Sequence, residues 1–318
     1  MSANFAISTA VQNVLAELEV NRKKIVADQI KNWAIIALGV IAFLGLLSVG
    51  FLIVGLIVGI PAIIYGAIKL QKVGEQVDAY KSRFKHDVIG ATLNAANQSF
   101  TITPNNGISE NEFVASQLFT TSPDRYHTED LINGIIEKTR FYFAEVHAEY
   151  KTETQTKSGR QVTWHDILKG IVFSADFNKH FNGVTVIRPK DFSSSFGAWF
   201  SKNIFSFGDK NVVELENDAF NKNFVVYSTD QVEARYILTP ALMERIDELN
   251  QRAAYTVSLS FINSAMYIAF PLDHNYFEPP VFKSLLAPDL LDRDLSVLNF
   301  MFDIVHELDL NTRIWTKQ

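Results

Sequence analysis

Residues 34–68 read AIIALGVIAFLGLLSVGFLIVGLIVGIPAIIYGAI, 35 positions without one charged side chain. A single helix of that length would be about 52 Å long, against a hydrocarbon core of about 30 Å. Fitting it would demand a tilt of about 55°, beyond the usual range of roughly 0–40°. Two helices fit better, and Ser48, Val49 and Gly50 supply a break near the middle. The halves are then about 21 Å and 27 Å long, slightly short unless flanking residues join them. Trp33 and Tyr65 stand where interfacial aromatics anchor helix ends. Gly39, Gly45, Gly50, Gly55, Gly59 and Gly66 suit two closely packed backbones.

The flanks test the same idea independently. Arg22, Lys23, Lys24 and Lys31 precede the stretch; Lys69, Lys72, Lys81, Arg83 and Lys85 follow it. Positive charge marks the cytoplasmic side, and here it lies at both ends, which a hairpin allows and a single span forbids. A signal peptide is a poor rival, since the run is too long, starts late and lacks a small-x-small cleavage site. The expectation is a multi-pass protein of the inner (cytoplasmic) membrane with both termini cytoplasmic. Its parts would be an amphipathic helix over 1–32, a transmembrane hairpin over 33–70 with its break near 48–50, and a cytosolic domain over 71–318.

Composition narrows the rest. Residues 81–318 carry 23 basic and 30 acidic side chains, so the expected domain is acidic and has no basic run. That argues against nucleic acid as a partner, because its binding rests on phosphate neutralisation. The chain has no cysteine, which excludes disulfides, thiolate catalysis and cysteine-based zinc sites, and suits a cytosolic domain. Before the apolar run, Thr9 and Gln12 have capping-box spacing. Val11, Leu15, Leu18 and Ile25 then recur at helical intervals. This segment is either a surface helix or an extension of the first membrane helix.

After the membrane stretch the pattern turns to strands. In RFYFAEVHAEYKTET, Tyr142, Ala144, Val146, Ala148 and Tyr150 alternate with Phe143, Glu145, His147, Glu149 and Lys151, the mark of a half-buried antiparallel strand. Residues 157–160 (KSGR) make a turn, and QVTWHDILKGIVFSADF returns as a long strand, expected to bend at Gly170. GVTVIRP is a third strand, and TVSLSFI with AMYIAFP flank Asn263 and Ser264 as a hairpin. Thr239-Pro240 signals a helix start, with Leu242, Ile246 and Leu249 as its buried stripe. A closing amphipathic helix is expected over 289–310. Strands bunched between helices predict an α+β domain, an antiparallel sheet with packed helices.

One aromatic stretch stands apart. Phe196, Trp199, Phe200, Ile204 and Phe207 fall on one helical face, as in an interfacial helix resting on a bilayer or an insertion helix packed on the sheet.

Residues 215–249 read LENDAFNKNFVVYSTDQVEARYILTPALMERIDEL. This stretch resembles the signature of a bacterial family of membrane-anchored proteins known as a domain of unknown function. DILKGIVFSADF and GVTVIRP resemble other stretches of the same family. The positions that carry the signature are Asp218, Phe220, Phe224, Val226, Tyr227, Ser228, Asp230, Ala234, Arg235, Tyr236, Leu238, Thr239 and Pro240. The resemblance implies an N-terminal helix, an apolar hairpin and a soluble domain, and suggests LemA-type membrane proteins as partners. It implies no activity.

Physical chemistry gives the polar members of that block structural work. Ser228 or Thr229 can cap a short helix, with Ser228 and Gln231 at capping-box spacing, and Asp230 suits its positive end. Arg235 is expected to reach Asp230, Glu233 or a carbonyl, and Thr239 to cap the next helix. The competing reading has Asp230, Glu233, Arg235 and Tyr236 line a site.

Catalytic patterns are otherwise thin. There is no H-E-x-x-H, G-x-S-x-G, glycine-rich phosphate loop or calcium loop. His147 and Glu149 share a strand face and His165 with Asp166 belongs to the next strand, a weak metal or acid–base candidate against the plainer reading of solvated side chains. No cofactor is expected. Three functional classes follow. The favoured one is a membrane-tethered interaction or assembly module whose cytosolic domain binds a protein or its own copies. The others are a lipid-handling protein at the inner leaflet and a membrane-bound hydrolase built on His, Asp and Glu groups.

Overall fold

The computed structural model describes residues 9–156, 159–177, 180–190, 212–252, 257–272 and 274–308. Chain contacts divide these into two compact units. Among the described residues one is helical, built from 9–92 together with 277–293; the other holds the sheet, from 93–276 and 294–308. The fold is α+β, with two apolar N-terminal helices and an antiparallel sheet dressed by short helices.

In the helical unit, α1 runs unbroken through Thr9–Ser48 and α2 through Leu52–Phe84. The amphipathic segment and the first apolar run are therefore one helix. Val49, Gly50 and Phe51 make the turn. Phe51 N–H donates to Leu46 O at 2.9 Å and Gly50 N–H to Leu47 O at 3.1 Å, the paired bonds of a Schellman ending. Gly50 has φ +84°, the left-handed conformation that this ending needs and that glycine adopts without strain. The helices touch along a glycine seam. A Cβ on Gly59 would lie 2.6 Å from Phe43 Cβ, and one on Gly66 2.5 Å from Ile36 Cγ1. Most large apolar side chains of this half point outward and stay exposed, Ile41, Leu44, Ile53, Ile57 and Ile64 among them.

Toward their other ends the two helices become a stalk with a buried seam of Val11, Leu15, Leu18, Ile25, Val73, Tyr80 and Phe84. The segment 277–293 is pinned to this stalk by charge. Glu19 and Arg22, one helical turn apart, are both buried and joined by two bonds of 2.8 Å. Arg22 Nη1 also donates to Val281 O at 2.8 Å, and Glu19 Oε2 accepts Leu285 N–H at 2.9 Å. Tyr80 Oη donates to Pro280 O at 3.0 Å. Lys81 and Lys85, the latter in the π-helical turn Lys85–Gly90, grip Glu278 at 2.8 and 2.6 Å. The turn gives way to the short helix α3, Ala91–Ala96.

The sheet unit opens with β1, Thr101–Thr103, and α4, Glu110–Ala115. Three long strands follow: β2, Arg125–Ile136; β3, Thr139–Thr156; and β4, Gly159–Asp176. Next come β5, Thr185–Pro189; β6, Val212–Val213; α5, Asp218–Asn223; and β7, Phe224–Ser228. The chain continues with α6, Gln231–Ile237; α7, Pro240–Arg252; β8, Ser258–Ile262; β9, Ala265–Pro271; and α8, Asp292–Glu307. Among the described residues the strands form one sheet ordered β1-β2-β3-β4-β9-β8-β5-β7-β6, antiparallel at each pairing.

Alternation along β3 sets its two faces. Ala144, Val146 and Ala148 pack under Ile108, Phe113, Leu118 and Phe119. On the other face Phe141 meets Phe302 of α8 edge-on at 5.3 Å, and Phe302 stacks on Phe100 at 4.4 Å. Beyond Phe143 that second face turns polar, as the alternation predicts. The bend expected at Gly170 takes another form. The ladder runs on through Gly170, whose missing side chain makes room for β9: a Cβ there would lie 1.9 Å from Phe270 O. The register instead shifts between Ala148 and Glu149, opposite Ile167. The closing helix starts at Asp292 rather than 289, because Leu290 and Asp292 close turns on Ala287 O and Asp289 O first.

Candidate functional site

Two groups of residues were candidates in the sequence, and the structure treats them differently. The first is the stretch from Asp218 to Pro240, which folds as α5, β7, α6 and the start of α7. Asn217 caps α5 by accepting Phe220 N–H at 3.0 Å, and the buried rings of Phe220 and Phe224 stack at 4.9 Å. Asp230, not Ser228, is the cap of α6: its Oδ1 accepts the N–H groups of Val232 and Glu233 at 2.9 and 3.0 Å. Ser228 ends β7 instead, its hydroxyl accepting Asp230 N–H at 3.1 Å and contacting Thr185 Oγ1 at 3.0 Å. β7 runs through Ser228 and α6 begins at Gln231, which leaves Asp230 at the capping position, where its charge also suits the helix's positive end.

The remaining polar members are also engaged. Glu233 accepts the backbone N–H groups of Asn182 and Gly183 at 3.2 and 2.8 Å, tying α6 to the entry of β5. Arg235 reaches neither Asp230 nor Glu233; it donates to Gln231 O at 3.2 Å and Glu214 O at 3.3 Å. Tyr227 accepts from Arg188, whose guanidinium also lies over its ring at 4.2 Å. Thr239 Oγ1 accepts Leu242 N–H at 3.2 Å, and Pro240 is the first residue of α7. Tyr236 and Val232, four residues apart on α6, are exposed. An open groove of about 520 Å³ runs beside the block, lined by Leu215, Glu216, Asn217, Arg235, Leu238 and Met243 among others. Of Asp230, Glu233, Arg235 and Tyr236, only Arg235 lines it.

The second group lies on the polar face of β3 and β4. His147 Nε2 and Asp166 Oδ1 are 2.7 Å apart, and Glu149 Oε2 accepts from Arg125 Nη1 at 3.0 Å. Ligand atoms of His147, Glu149 and Asp166 all fall within 4.8 Å of one another. His165 is elsewhere. It pairs with Tyr150, whose ring it stacks on at 5.0 Å, and its Nε2 contacts Thr152 Oγ1 at 2.8 Å. The register shift opposite Ile167 decides this by setting Asp166, not His165, beside Glu149. A metal held by His147, Glu149 and Asp166 would have to break the His147–Asp166 bond and compete with Arg125. Beside the trio a polar niche of about 70 Å³ is lined by His127, Glu129, Glu145, His147, Lys169 and His274 among others. Glu145, buried, accepts Tyr276 N–H there at 2.7 Å.

Sequence reading passed over the Glu19–Arg22 pair. The signal was an acid and a base spaced by three on the same side as Leu15 and Leu18, where solvated charges do not belong. The bond from Arg22, aided by Leu285 N–H, holds the Glu19 carboxyl down at about 2 against the opposing effect of burial. Lys81 and Lys85 likewise hold Glu278 below the usual carboxylate range although burial pushes it up. The aromatic residues Phe196, Trp199, Phe200, Ile204 and Phe207 lie outside the described residues.

Residues 166–310 match a family described as Protein of unknown function (DUF3137). The match takes in the Asp218–Pro240 block and accords with the resemblance to a family of unknown function. No curated protein gives a significant match. Among solved structures, a similar one is the crystal structure of the mycobacterial trehalose monomycolate transport factor A, TtfA. It is 12% identical with a TM-score of 0.35, over 72% of this chain and 95% of that one. A likeness at that score carries no argument about this chain.

Proposed function

We propose that this chain is a membrane-anchored assembly module: α1 and α2 cross the bilayer twice as a hairpin, and the sheet unit works on the cytoplasmic side as an interaction domain. The observation that carries the reading is the outward apolar surface of the hairpin. Two antiparallel helices are long and apolar enough to span, and they bury Gly39, Gly55, Gly59 and Gly66 on each other, though not Gly45 or Gly50, while Ile41, Leu44, Ile53, Ile57 and Ile64 face out. Such a surface requires a cover, and lipid provides it.

The turn supports a complete crossing over a hairpin that stops midway. The first N–H bond inside α2 is Gly55 to Phe51 O at 3.0 Å, and Phe51 supplies no side-chain cap. The N–H groups of Leu52, Ile53 and Val54 therefore open toward the tip, as at any uncapped helix start. In hydrocarbon each would cost several kcal/mol, so the tip belongs in the far headgroup layer. From Trp33 to Ser48 the helix is about 24 Å long and from Leu52 to Ile68 about 26 Å, so Lys31 and Lys69 must snorkel to complete a span of about 30 Å. Basic residues at both open ends support a cytoplasmic position for them.

The interaction role is supported by the far ends of β3 and β4, which run past β2 and β9 as a two-stranded ribbon that meets no further strand among the described residues. The edges of such a ribbon are templates for another strand. Cysteine labelling tests the topology. Single cysteines replacing Ser2, Ser158 or Gln318 are expected to resist a membrane-impermeant maleimide in intact cells and react after lysis. Labelling of Ser158→Cys before lysis would put the sheet unit outside and end the cytosolic reading.

A further inference from the structure

We propose that two copies of this chain join through the free edge of β4, antiparallel about a two-fold axis at Thr163. The proposal names the partner of the assembly module described above and rests on its membrane anchoring. β4 pairs with β9 from Gly170 to Asp176 and with β3 along nearly its whole length. From Arg160 to Leu168 its second edge has no neighbouring strand among the described residues. β3 ends its contact with β2 at Glu149, and beyond it the ribbon has no strand on its β3 side among the described residues.

The two edges differ. On β3, Asp124 closes the root of the edge by accepting Lys151 N–H at 2.8 Å. On β4 the residues GRQVTWHDIL contain no proline and no lysine, and the one irregularity, at Ile167, lies at the end of the stretch. Val162 and Trp164 are exposed there at 44% and 38%, Trp164 with the Arg125 guanidinium 3.9 Å over its ring.

The order of side chains selects the partner. Arg160, Val162, Trp164 and Asp166 lie on one face, opposite Gln155, Glu153, Lys151 and Glu149 of β3. A two-fold axis perpendicular to the sheet maps that face onto itself, so residues of like parity must oppose one another. With Thr163 on the axis, Arg160, which bonds Glu153 of its own chain, meets Asp166 of the second copy, which bonds its own His147, while Val162 meets Trp164 and Gln161 meets His165. Each cross-strand pair is then of a favourable kind: opposite charge, aromatic with β-branched, and polar with polar. Shifting the axis to Val162 sets Arg160 against Trp164, and shifting it to Trp164 sets Val162 against Asp166. Only the Thr163 register joins the opposite charges. The result is a four-stranded ribbon, β3-β4-β4-β3, across two copies. Confinement of both copies to one membrane raises their effective concentration, so a short pairing suffices.

The cysteine-free chain makes the test direct. The full chain carrying Thr163→Cys is reconstituted in phosphatidylcholine–phosphatidylglycerol liposomes and oxidised with copper phenanthroline. Opposed Cβ atoms at the axis sit about 5 Å apart, close enough to bridge after a small adjustment. A disulfide-linked dimer is expected, with little from Thr154→Cys on β3. Arg160→Asp in the Thr163→Cys chain should lower the dimer yield roughly fivefold, since two symmetric pairs change together. Arg160→Asp with Asp166→Arg should restore it, with circular dichroism confirming the fold of each variant. A liposome-bound, folded Thr163→Cys chain that stays monomeric, or dimerises no better than Thr154→Cys, overturns the proposal. If the chain does not float with the liposomes, the anchoring reading fails instead, and the same crosslink in concentrated detergent solution decides the pairing.

Discussion

Glu19 carries an acid-sensitive contact. Its carboxylate is bonded to Arg22 and to Leu285 N–H, and its folded pKa lies near 2, below the ordinary 4.5. A depressed carboxyl contributes stability that is fully present above the unfolded value and is lost as pH falls through the folded one. The hold on residues 277–293 should therefore stand at neutral pH and weaken as pH drops from about 4.5 toward 2. Glu19→Gln removes the charge and should cost about 2 kcal/mol, the range for a hydrogen bond to a charged group. Hydrogen exchange over 277–293 checks both: faster exchange in Glu19→Gln at neutral pH, with less further change on acidification. Identical exchange in the two chains would mean that the segment is held by other contacts. At this scale the sequence was only partly legible. Ser, Thr and Asp near helix starts pointed to caps, but whether Ser228 or Asp230 serves α6 depends on where β7 ends, which spacing does not state, and Asn217 as the cap of α5 was passed over. For Arg235 the carbonyl alternative is the one met, by Gln231 O and by Glu214 O, and the latter comes near only once β6 and α6 are placed.

The elements were easier to read, because period is a property of many residues at once. The alternation in β3, the hairpin of β8 and β9 around Asn263, and the Thr239-Pro240 start of α7 all follow from local pattern. What local pattern lacks is register. A shift of one residue opposite Ile167 turns Asp166 to the His147 face and leaves His165 stacked on Tyr150, so the trio His147, Glu149 and Asp166 was hidden until pairing was known. The glycine seam of α1 and α2 was visible in composition, whereas its contacts were not. A Cβ on Gly39 would stand 3.1 Å from Ala62 Cβ. Gly39→Cys with Ala62→Cys should accordingly form a disulfide within one chain, seen as faster migration on a non-reducing gel. Adding Gly59→Leu, whose side chain would collide with Phe43, should abolish it. A bridge that forms regardless would mean that the helices do not cross at these glycines.

At the scale of the whole molecule, uncharged length announced two apolar helices, and charge at both flanks is the ground for the proposed direction. The association of 277–293 with the helices, more than 190 residues away in sequence, had no such signal and arises from Glu19, Arg22, Tyr80, Lys81 and Lys85 acting together. The central claim is that the hairpin crosses completely and returns. Single cysteines at Val49, in the turn, and at Ser158 test it in the same intact cells with a membrane-impermeant maleimide. The account predicts labelling at Val49→Cys from outside, with Ser158→Cys protected until lysis. Protection of Val49→Cys, or labelling of Ser158→Cys in intact cells, would contradict it.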